Sequence, residues 1–164
     1  VYLDYLGGMQ QAEGEPGTDR TAGSGVQYHV AMSFAGEDRI HPHKLAELLR
    51  ARNFTVFYDE YEQATLWGRD LYSHLTDVYR NKARYCLMFI SANYAKKLWT
   101  KHELEAAQAR AFRESREYIL PIRLDDTTVP GIEDKIGYVD LRKTSYEDIV
   151  RLLEEKFRKS PGDK

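Results

Sequence analysis

The nine residues 83–91, ARYCLMFIS, form an almost unbroken apolar run, and this run limits what the chain can fold into. A strand with one face in water alternates apolar and polar residues, but this run has no polar face. Such a strand is typical of a parallel sheet that is covered by helices on both sides. The chain has 164 residues, of which 42% are hydrophobic, so a single domain can bury it.

Four further strands and four helices are predicted around this run from the spacing of apolar residues. The predicted strands cover 28–34, 54–59, 118–124 and 137–141. The predicted helices cover 42–53, 69–82, a long region that ends near 116, and 145–159. Strands that alternate with helices indicate an α/β domain, and five short strands in this length predict a flavodoxin-like parallel sheet in the order 2-1-3-4-5.

The two ends of the chain differ in composition from the middle. Residues 1–25 are rich in glycine and polar residues after Leu6, which predicts a flexible tail or a linker from a preceding domain. Residues 26–160 form the predicted domain, and 161–164 a short tail. The first residue is valine, and residues 1–6, VYLDYL, suit the end of an earlier domain.

Composition and missing motifs exclude several kinds of function. The net charge is −2, which gives no basic field for nucleic acid, and no apolar run approaches the roughly 20 residues that span a membrane. The one cysteine, Cys86, lies in the apolar run, so no disulfide forms within the chain and we expect a reducing cytoplasm. Neither a phosphate-binding glycine motif nor a Cys/His cluster with metal-ligand spacing is present, so we expect no metal and no bound cofactor.

A sheet of this order binds ligands at the carboxyl ends of its strands, where the strand order reverses. Here that switch point lies between the first and the third strand, and the loop 59–68 after the second strand hangs over the same edge. The residues that end the two strands are Ser33, Phe34, Ala35 and Gly36 on one side, and Ser91, Ala92 and Asn93 on the other.

The stretch LWTKHELEAAQ, 98–108, contains Glu103, for which two interpretations stand. Thr100 and Glu103 form a T-x-x-E capping box with Trp99 and Leu104 as its hydrophobic staple, and a cap needs no other role. The same glutamate lies in the first turn of a helix near the predicted ligand edge, with Trp99 four residues before it. A carboxylate beside a large aromatic side chain in a cleft is also a candidate catalytic group.

Several separate stretches resemble a Toll/interleukin-1 receptor (TIR) domain, in particular the bacterial TIR domains of anti-phage defence proteins. The most specific parts are S-F-x-G-E-D after the first strand and W-x-x-x-E, from Trp99 to Glu103, after the third. The resemblance covers about Tyr28 to Arg158. The stretches that carry it are 28–39, 54–68, 83–107 and 118–132.

The resemblance implies one of two functions. Many bacterial members hydrolyse NAD+ or cyclise it to an ADP-ribose isomer, so that NAD+ is a substrate and not a cofactor, whereas others are adaptors that only self-associate. For an enzyme it implies activation by self-association, a fused or partner sensor domain, and a role in anti-phage immunity. A phosphoacceptor receiver shares the sheet order, but it needs an aspartate at the end of strand three, where this chain has Ile90 and Ser91.

The resemblance also assigns residues to the site. Glu103 matches the family's catalytic glutamate, and Trp99 matches the aromatic residue of the same motif. The loop 59–68 matches the loop that moves on assembly, although Leu66-Trp67-Gly68 stands where many members have a Pro-Gly pair. The predicted substrate-binding residues are Ser33, Phe34, Ala35, Gly36, Arg39, Asp59, Trp67 and Trp99, with Arg39 facing the pyrophosphate.

Purely structural roles remain open for several of these residues. Phe34 and Trp67 either stack on a ring of NAD+ or pack within the protein. Arg39 either meets the pyrophosphate or is a solvated surface charge. Asp38 and Asp59 have the alternative role of turn residues.

One carboxylate suffices for the implied reaction. Cleavage of the nicotinamide–ribose bond passes through an oxocarbenium-like state, as glycoside hydrolysis does. The nicotinamide of NAD+ is a cationic pyridinium that leaves as a neutral molecule, so no general acid is required. Glu103 would then hold the ribose hydroxyls and oppose the positive charge that develops at the anomeric carbon.

Overall fold

A five-stranded parallel sheet organises the chain. The computed structural model describes residues 25–69, 77–98, 118–132 and 136–159. Within them the strands lie in the order β2-β1-β3-β4-β5, and each neighbouring pair is parallel, which confirms the predicted fold class. The strands are β1 Tyr28–Ser33, β2 Val56–Phe57, β3 Ala83–Ile90, β4 Ile119–Arg123 and β5 Val139–Asp140.

Helical segments follow the strands. The α-helices of the described residues are α1 Ile40–Ala51, α2 Gln63–Leu66, α3 Ala92–Lys97 and α4 Tyr146–Lys159. Two single-turn 3₁₀-helices, Gly36–Asp38 and Asp59–Tyr61, follow β1 and β2, and a π-helical stretch, Val78–Lys82, precedes β3. Of the predicted helix 69–82 the described part ends in this π-helical stretch, and residues 99–117 of the predicted long helix lie outside the described residues.

The apolar run forms the centre of the sheet. β3 pairs with β1 on one side and β4 on the other, and its residues from 85 to 90 are all buried. Leu87 and Phe89 belong to the core cluster that contains residues of α1 and α4, whereas Met88 and Ile90 belong to a second cluster that contains residues of α3. Burying one such side chain contributes roughly 1.5–3 kcal/mol, so this strand is a main source of the fold's stability.

The single cysteine also lies in this strand. Cys86 is buried, and burial raises the pKa of its thiol to about 12. The thiol is therefore neutral at physiological pH and behaves as a small apolar side chain.

Helices α1 and α4 cover one face of the sheet through apolar residues at helical spacing. In α1 the buried residues include Leu45 and Leu49, and in α4 they include Ile149 and Leu153. The Ser145 hydroxyl caps α4 by accepting the N–H of Asp148 at 3.1 Å. Helix α4 is thus fixed at its start by the Ser145 cap and along its length by its buried residues.

The second strand is shorter than the predicted 54–59. Before it, the Thr55 carbonyl accepts the N–H of His29 at 2.9 Å and that of Val30 at 3.3 Å. After it, Tyr61 N–H bonds back to the Tyr58 carbonyl at 2.9 Å and closes the 3₁₀ turn. The chain therefore leaves the sheet after Phe57, whereas before Val56 the Thr55 carbonyl is still bonded to β1 and Phe54 N–H bonds back to the Leu49 carbonyl of α1 at 3.0 Å.

None of the helices in the described ranges is both long and apolar enough to cross a bilayer.

Candidate active site

The sheet order reverses between β1 and β3, and two buried serines mark this point. Ser33 ends β1 and Ser91 follows β3, and each is only 3% exposed. The next long helix after β1, α1, packs in one core cluster, whereas α3 after β3 packs in the other through Tyr94. The two connections thus leave the sheet on opposite faces and open a crevice between them.

Ser33 and Tyr94 form the first link across this crevice. Their hydroxyl oxygens lie 2.8 Å apart, and Tyr94 is 1% exposed. A buried hydroxyl costs free energy unless it is hydrogen-bonded, and here each side chain supplies the other's partner. The bond ties the end of β1 to α3, so the predicted substrate-binding Ser33 also has a structural partner.

Asp38 forms the second link. Its carboxylate accepts hydrogen bonds from the Ser91 hydroxyl and, at 3.2 Å, from the side-chain amide of Asn93. The Ser91 oxygen in turn accepts the N–H of Tyr94 at 3.0 Å and so caps α3. Sequence reasoning treated Asp38 as a turn residue, and the only local signal for a larger role was its place in the motif that follows β1.

A third carboxylate holds the start of α3 from the other side. Asp125, just after β4, accepts the N–H of Ala92 and the N–H of Thr127, each at 2.9 Å. Burial raises the pKa of Asp125, but the hydrogen bonds from Thr127 and Ala92 and the charge of Arg142 outweigh it, so the net pKa is lowered. A lowered pKa means that the ionised form is the one that holds the helix.

The residues after Ser33 differ in accessibility. Phe34 and Ala35 are 2% and 0% exposed, and the Phe34 ring packs against that of Tyr58 with centroids 5.9 Å apart. Gly36, by contrast, begins the partly exposed 3₁₀ turn. The packing alternative is therefore favoured for Phe34, and a ligand in the crevice would meet the backbone of this segment more readily than the Phe34 ring.

Arg39 and Asp59 bind each other. The guanidinium donates to both carboxylate oxygens, at 2.9 and 2.8 Å, and to the Tyr58 hydroxyl at 3.1 Å. A further bond of 3.1 Å reaches Glu60, and the guanidinium carbon lies 5.1 Å from the Phe34 ring centroid. The bond to Asp59 is the main cause that raises the pKa of Arg39.

This ion pair joins the loop after β1 to the root of the loop 59–68. Both side chains are partly shielded from water, with 31% of Arg39 and 17% of Asp59 exposed. A bidentate pair of this kind is stronger than an ordinary surface pair. Contact of Arg39 with a pyrophosphate, which stays a prediction, requires the guanidinium to leave Asp59 or to share its charge.

Trp67 projects from the far end of the same loop. It is 89% exposed, while the preceding Leu66 is buried with 9% exposure. Gly68 follows with φ of 78°, a conformation that other residues rarely adopt. Leu66 thus anchors the loop and Gly68 turns it, which leaves the Trp67 side chain in solvent.

Glu103 and Trp99 lie outside the described residues. The structure describes the chain up to Leu98, which is 9% exposed and belongs to the same apolar cluster as Tyr94. Leu98 has an extended backbone, so α3 ends there. The helical region that the sequence predicts up to about 116 is therefore interrupted at Leu98.

Comparison with known proteins identifies the family. A family model described as "TIR domain" matches residues 30–153. The chain belongs to the TIR domain family. The match begins within β1, includes β2 to β5 and ends within α4, and the resemblance predicted from the motifs is confirmed.

Curated relatives of this TIR domain include enzymes. The 3' cyclic ADP-D-ribose synthase AaTIR of Aquimarina amphilecti is 51% identical over 133 residues, which cover 81% of this chain and 41% of AaTIR. The 2' cyclic ADP-D-ribose synthase BtTIR of Bacteroides thetaiotaomicron is 37% identical over 134 residues, with 77% and 45% covered. The NAD(+) hydrolase TcpC of Escherichia coli is 31% identical over 100 residues, with 59% and 31% covered. The TIR domain thus spans less than half the length of each of these relatives.

Solved structures share the fold of this TIR domain. A metazoan TIR-STING receptor from C. gigas superposes with a TM-score of 0.58 at 18% identity, over 78% of this chain and 40% of that one. The TIR domain of the Toll-related receptor TRR-2 from Hydra magnipapillata gives 0.52 at 17% identity, over 78% of this chain and 99% of that one. At such identities the similarity concerns the fold alone.

Proposed function

We propose that this TIR domain cleaves the nicotinamide–ribose bond of NAD+ and releases nicotinamide with ADP-ribose or a cyclic ADP-ribose isomer. The observation that carries the proposal is the motif W-x-x-x-E, Trp99 to Glu103, which follows α3 in the sequence, and α3 itself begins after β3 at the switch point of the sheet. The printed names of three relatives support it, since two are cyclic ADP-ribose synthases and one is an NAD(+) hydrolase.

Glu103 carries the chemistry in this proposal. As the bond between ribose and nicotinamide breaks, its electron pair leaves with the neutral nicotinamide and positive charge develops at the anomeric carbon. The Glu103 carboxylate opposes this charge and accepts hydrogen bonds from the ribose hydroxyls. Water or a hydroxyl of the same molecule then takes the anomeric position, which gives the linear or the cyclic product.

A 3' cyclic product is favoured over a 2' cyclic one. AaTIR, named for the 3' product, is 51% identical to this chain, whereas BtTIR, named for the 2' product, is 37% identical. Chromatography of the products beside both cyclic standards distinguishes the two linkages from simple hydrolysis.

Substitution of Glu103 tests the proposal. Glu103→Gln keeps the size and a capping oxygen but removes the charge, so we expect a folded protein with at least a roughly 100-fold lower rate of NAD+ consumption. Glu155→Gln removes an exposed carboxylate of α4, which is paired with Lys159, and serves as the control. NAD+ consumption by the Glu103→Gln variant at the wild-type rate would overturn the catalytic assignment and leave only the cap.

We further propose that the enzyme works as an assembly in which Trp67 of one copy enters a groove on the next. The groove has a volume of about 210 Å³ and is lined by apolar residues of β4, β5 and α4. Tyr138 and Leu152 at its edge are 46% and 45% exposed. Exposed apolar surface of this kind favours a protein contact.

The contact depends on apolar surface more than on charge. Asp59 and Glu60 of the loop 59–68 already bind Arg39, and a single lysine, Lys156, lies in the wall of the groove. The loop follows β2 at one edge of the sheet and the groove lies beside β5 at the other. A contact between two different surfaces is heterologous, so it adds further copies in a row. Full activity throughout a dilution series in which the protein stays monomeric would contradict this requirement.

A non-catalytic TIR–TIR module is the second candidate, because the exposed Trp67 and the apolar groove serve association whether or not NAD+ is cleaved. It is favoured if the assembled protein leaves NAD+ intact. As an enzyme, the domain would act in the cytoplasm in anti-phage defence, with a fused or partner sensor domain as the trigger for assembly.

A further inference from the structure

Asp38 connects two loops that are distant in sequence. It lies in the 3₁₀ turn after β1, and its two oxygens each accept one hydrogen bond from the segment after β3, from Ser91 and from Asn93. These partners are 53 and 55 residues away along the chain. The carboxylate therefore spans the crevice at the point where the sheet order reverses.

Helix α3, whose start is bonded to Asp38 through Ser91 and Asn93, is too short to be stable alone. Helix α3 has six residues, and an isolated helix shorter than about 12 residues is marginal in water. Its start depends on the Ser91 cap, whose hydroxyl hydrogen points to Asp38, and on Asp125. Removing the Asp38 acceptor thus leaves the buried Ser91 hydroxyl without that bond and weakens the fixed end of α3.

The same short helix leads directly to the proposed catalytic segment. Lys97 ends α3, Leu98 is buried, and Trp99 and Glu103 come two and six residues after Lys97 in the chain. A movement of α3 therefore changes the place from which this segment departs. Catalysis is sensitive to such movement, because a displacement of about 1 Å can cost roughly 100-fold in rate.

We propose that Asp38 is a positioning residue for NAD+ cleavage, acting on Glu103 through Ser91, Asn93 and helix α3. The inference rests on the proposed function. The competing role is direct contact with the ribose, because each oxygen of Asp38 accepts one hydrogen bond from the protein and has a second lone pair left for a hydroxyl. If Asp38 contacts the ribose, the carboxylate must stand at position 38. If Asp38 only positions α3, the carboxylate and the amide of Asn93 can exchange places.

A reciprocal exchange separates the two roles. Asn93→Asp places a second carboxylate opposite Asp38, a like-charge contact that no rotation of either side chain relieves, so we expect kcat to fall roughly 10- to 100-fold while KM stays within about 3-fold. Adding Asp38→Asn restores donor against acceptor and keeps the carbonyl that Ser91 needs, so the double variant should regain kcat to within about 3-fold of wild type. Glu155→Gln, whose exposed ion pair with Lys159 lies within α4, is the matched control and should stay near wild type.

Two outcomes of this exchange would overturn the inference. Wild-type kcat in Asn93→Asp would show that the bonds do not position the catalytic segment. A double variant as inactive as Asn93→Asp, with thermal unfolding like that of wild type, would assign the carboxylate at position 38 to the substrate instead.

Trp99 gives a readout that does not depend on activity. The chain has two tryptophans, so Trp67→Phe leaves Trp99 as the sole indole fluorophore. In this background Asn93→Asp should shift the emission or the acrylamide quenching of Trp99, the added Asp38→Asn should reverse the shift, and Glu155→Gln should cause none. An unshifted Trp99 would overturn the positioning role, whereas wild-type protein that leaves NAD+ intact would overturn only the proposed reaction.

Discussion

The crevice between β1 and β3 and the groove beside β5 are built from opposite kinds of side chain. In the crevice, short polar side chains bond to one another, as Ser33 does to Tyr94 and Asp38 to Ser91. The groove is lined mainly by leucine, isoleucine and valine.

This difference matches what each region is proposed to do. Hydrogen bonds are directional and fix atoms to within a fraction of an ångström, which suits a site that places a catalytic carboxylate. Apolar contacts are non-directional and scale with area, which suits reversible association between copies. Substitutions that remove one kind of interaction without touching the other test the comparison.

The largest effect on stability is expected for Arg39, which lies in the loop after β1 beside the crevice and binds the loop 59–68. Arg39→Ala leaves Asp59 and Glu60 without their shared donor and removes a guanidinium that lies over the Phe34 ring, so the free energy of unfolding should fall by about 2–3 kcal/mol. Arg52→Ala breaks an exposed pair with Glu154 and should cost no more than about 1 kcal/mol. Equal losses in urea titrations of the two variants would show that the crevice does not depend on this ion pair.

A charge reversal sharpens the result for Arg39. The double variant Arg39→Asp, Asp59→Arg restores opposite charges and should recover part of the lost stability. If the pair only holds the loop 59–68, NAD+ cleavage returns with stability. If Arg39 also binds the pyrophosphate, stability returns and the rate does not.

An intermediate effect is expected at the groove. Trp67→Ser and Leu152→Ser should each weaken self-association at least about tenfold, or about 1.4 kcal/mol, and change the free energy of unfolding by no more than about 0.5 kcal/mol. Both side chains are exposed, at 89% and 45%, so the folded monomer does not need them. Ile40→Ser, at a site that is 72% exposed and away from the groove, is the control.

Sedimentation over a range of protein concentrations measures this effect. Unchanged association in both Trp67→Ser and Leu152→Ser would remove the groove from the proposed assembly. A loss in Ile40→Ser of the same size would show that any exposed apolar residue contributes.

Local patterns predicted the parts of the fold that depend on neighbouring residues. The run 83–91 is apolar at almost every position, and that alone places it at the centre of a parallel sheet. The sheet order followed from the number and spacing of strands. The second strand was predicted too long, because Phe54 N–H bonds back to the Leu49 carbonyl of α1 and Tyr61 N–H bonds back to the Tyr58 carbonyl, and the apolar pattern of 54–59 shows neither bond.

The partners of the site residues were beyond sequence reasoning for the same reason. Asp38 bonds to residues more than 50 positions away, and Arg39 bonds to Asp59, 20 positions away. A turn residue and a bridging residue have the same local pattern, so only the folded chain distinguishes them. Glu103 is the reverse case, since its motif was visible in sequence but the residue lies outside the described ranges.

The smallest effect is expected from the pH dependence of Asp125, which supports the crevice from β4. Because its pKa is lowered on folding, its ionised form stabilises the folded state above the unfolded pKa of about 3.9, and this contribution is lost as the pH falls through the folded pKa. The carboxylate is partly exposed, so solvent limits the contribution to less than about 1 kcal/mol.

Asp125→Asn therefore destabilises the protein most near neutral pH. The amide places an N–H where the carboxylate accepts from Ala92 or Thr127, so the variant loses one of those bonds at every pH. Wild type loses the ionised carboxylate only in acid, and the difference between the two in urea titrations should shrink from about pH 6 to about pH 3. A difference that stays constant or grows in acid would show that Asp125 does not hold α3 through its charge, and the crevice would then be supported from β1 alone.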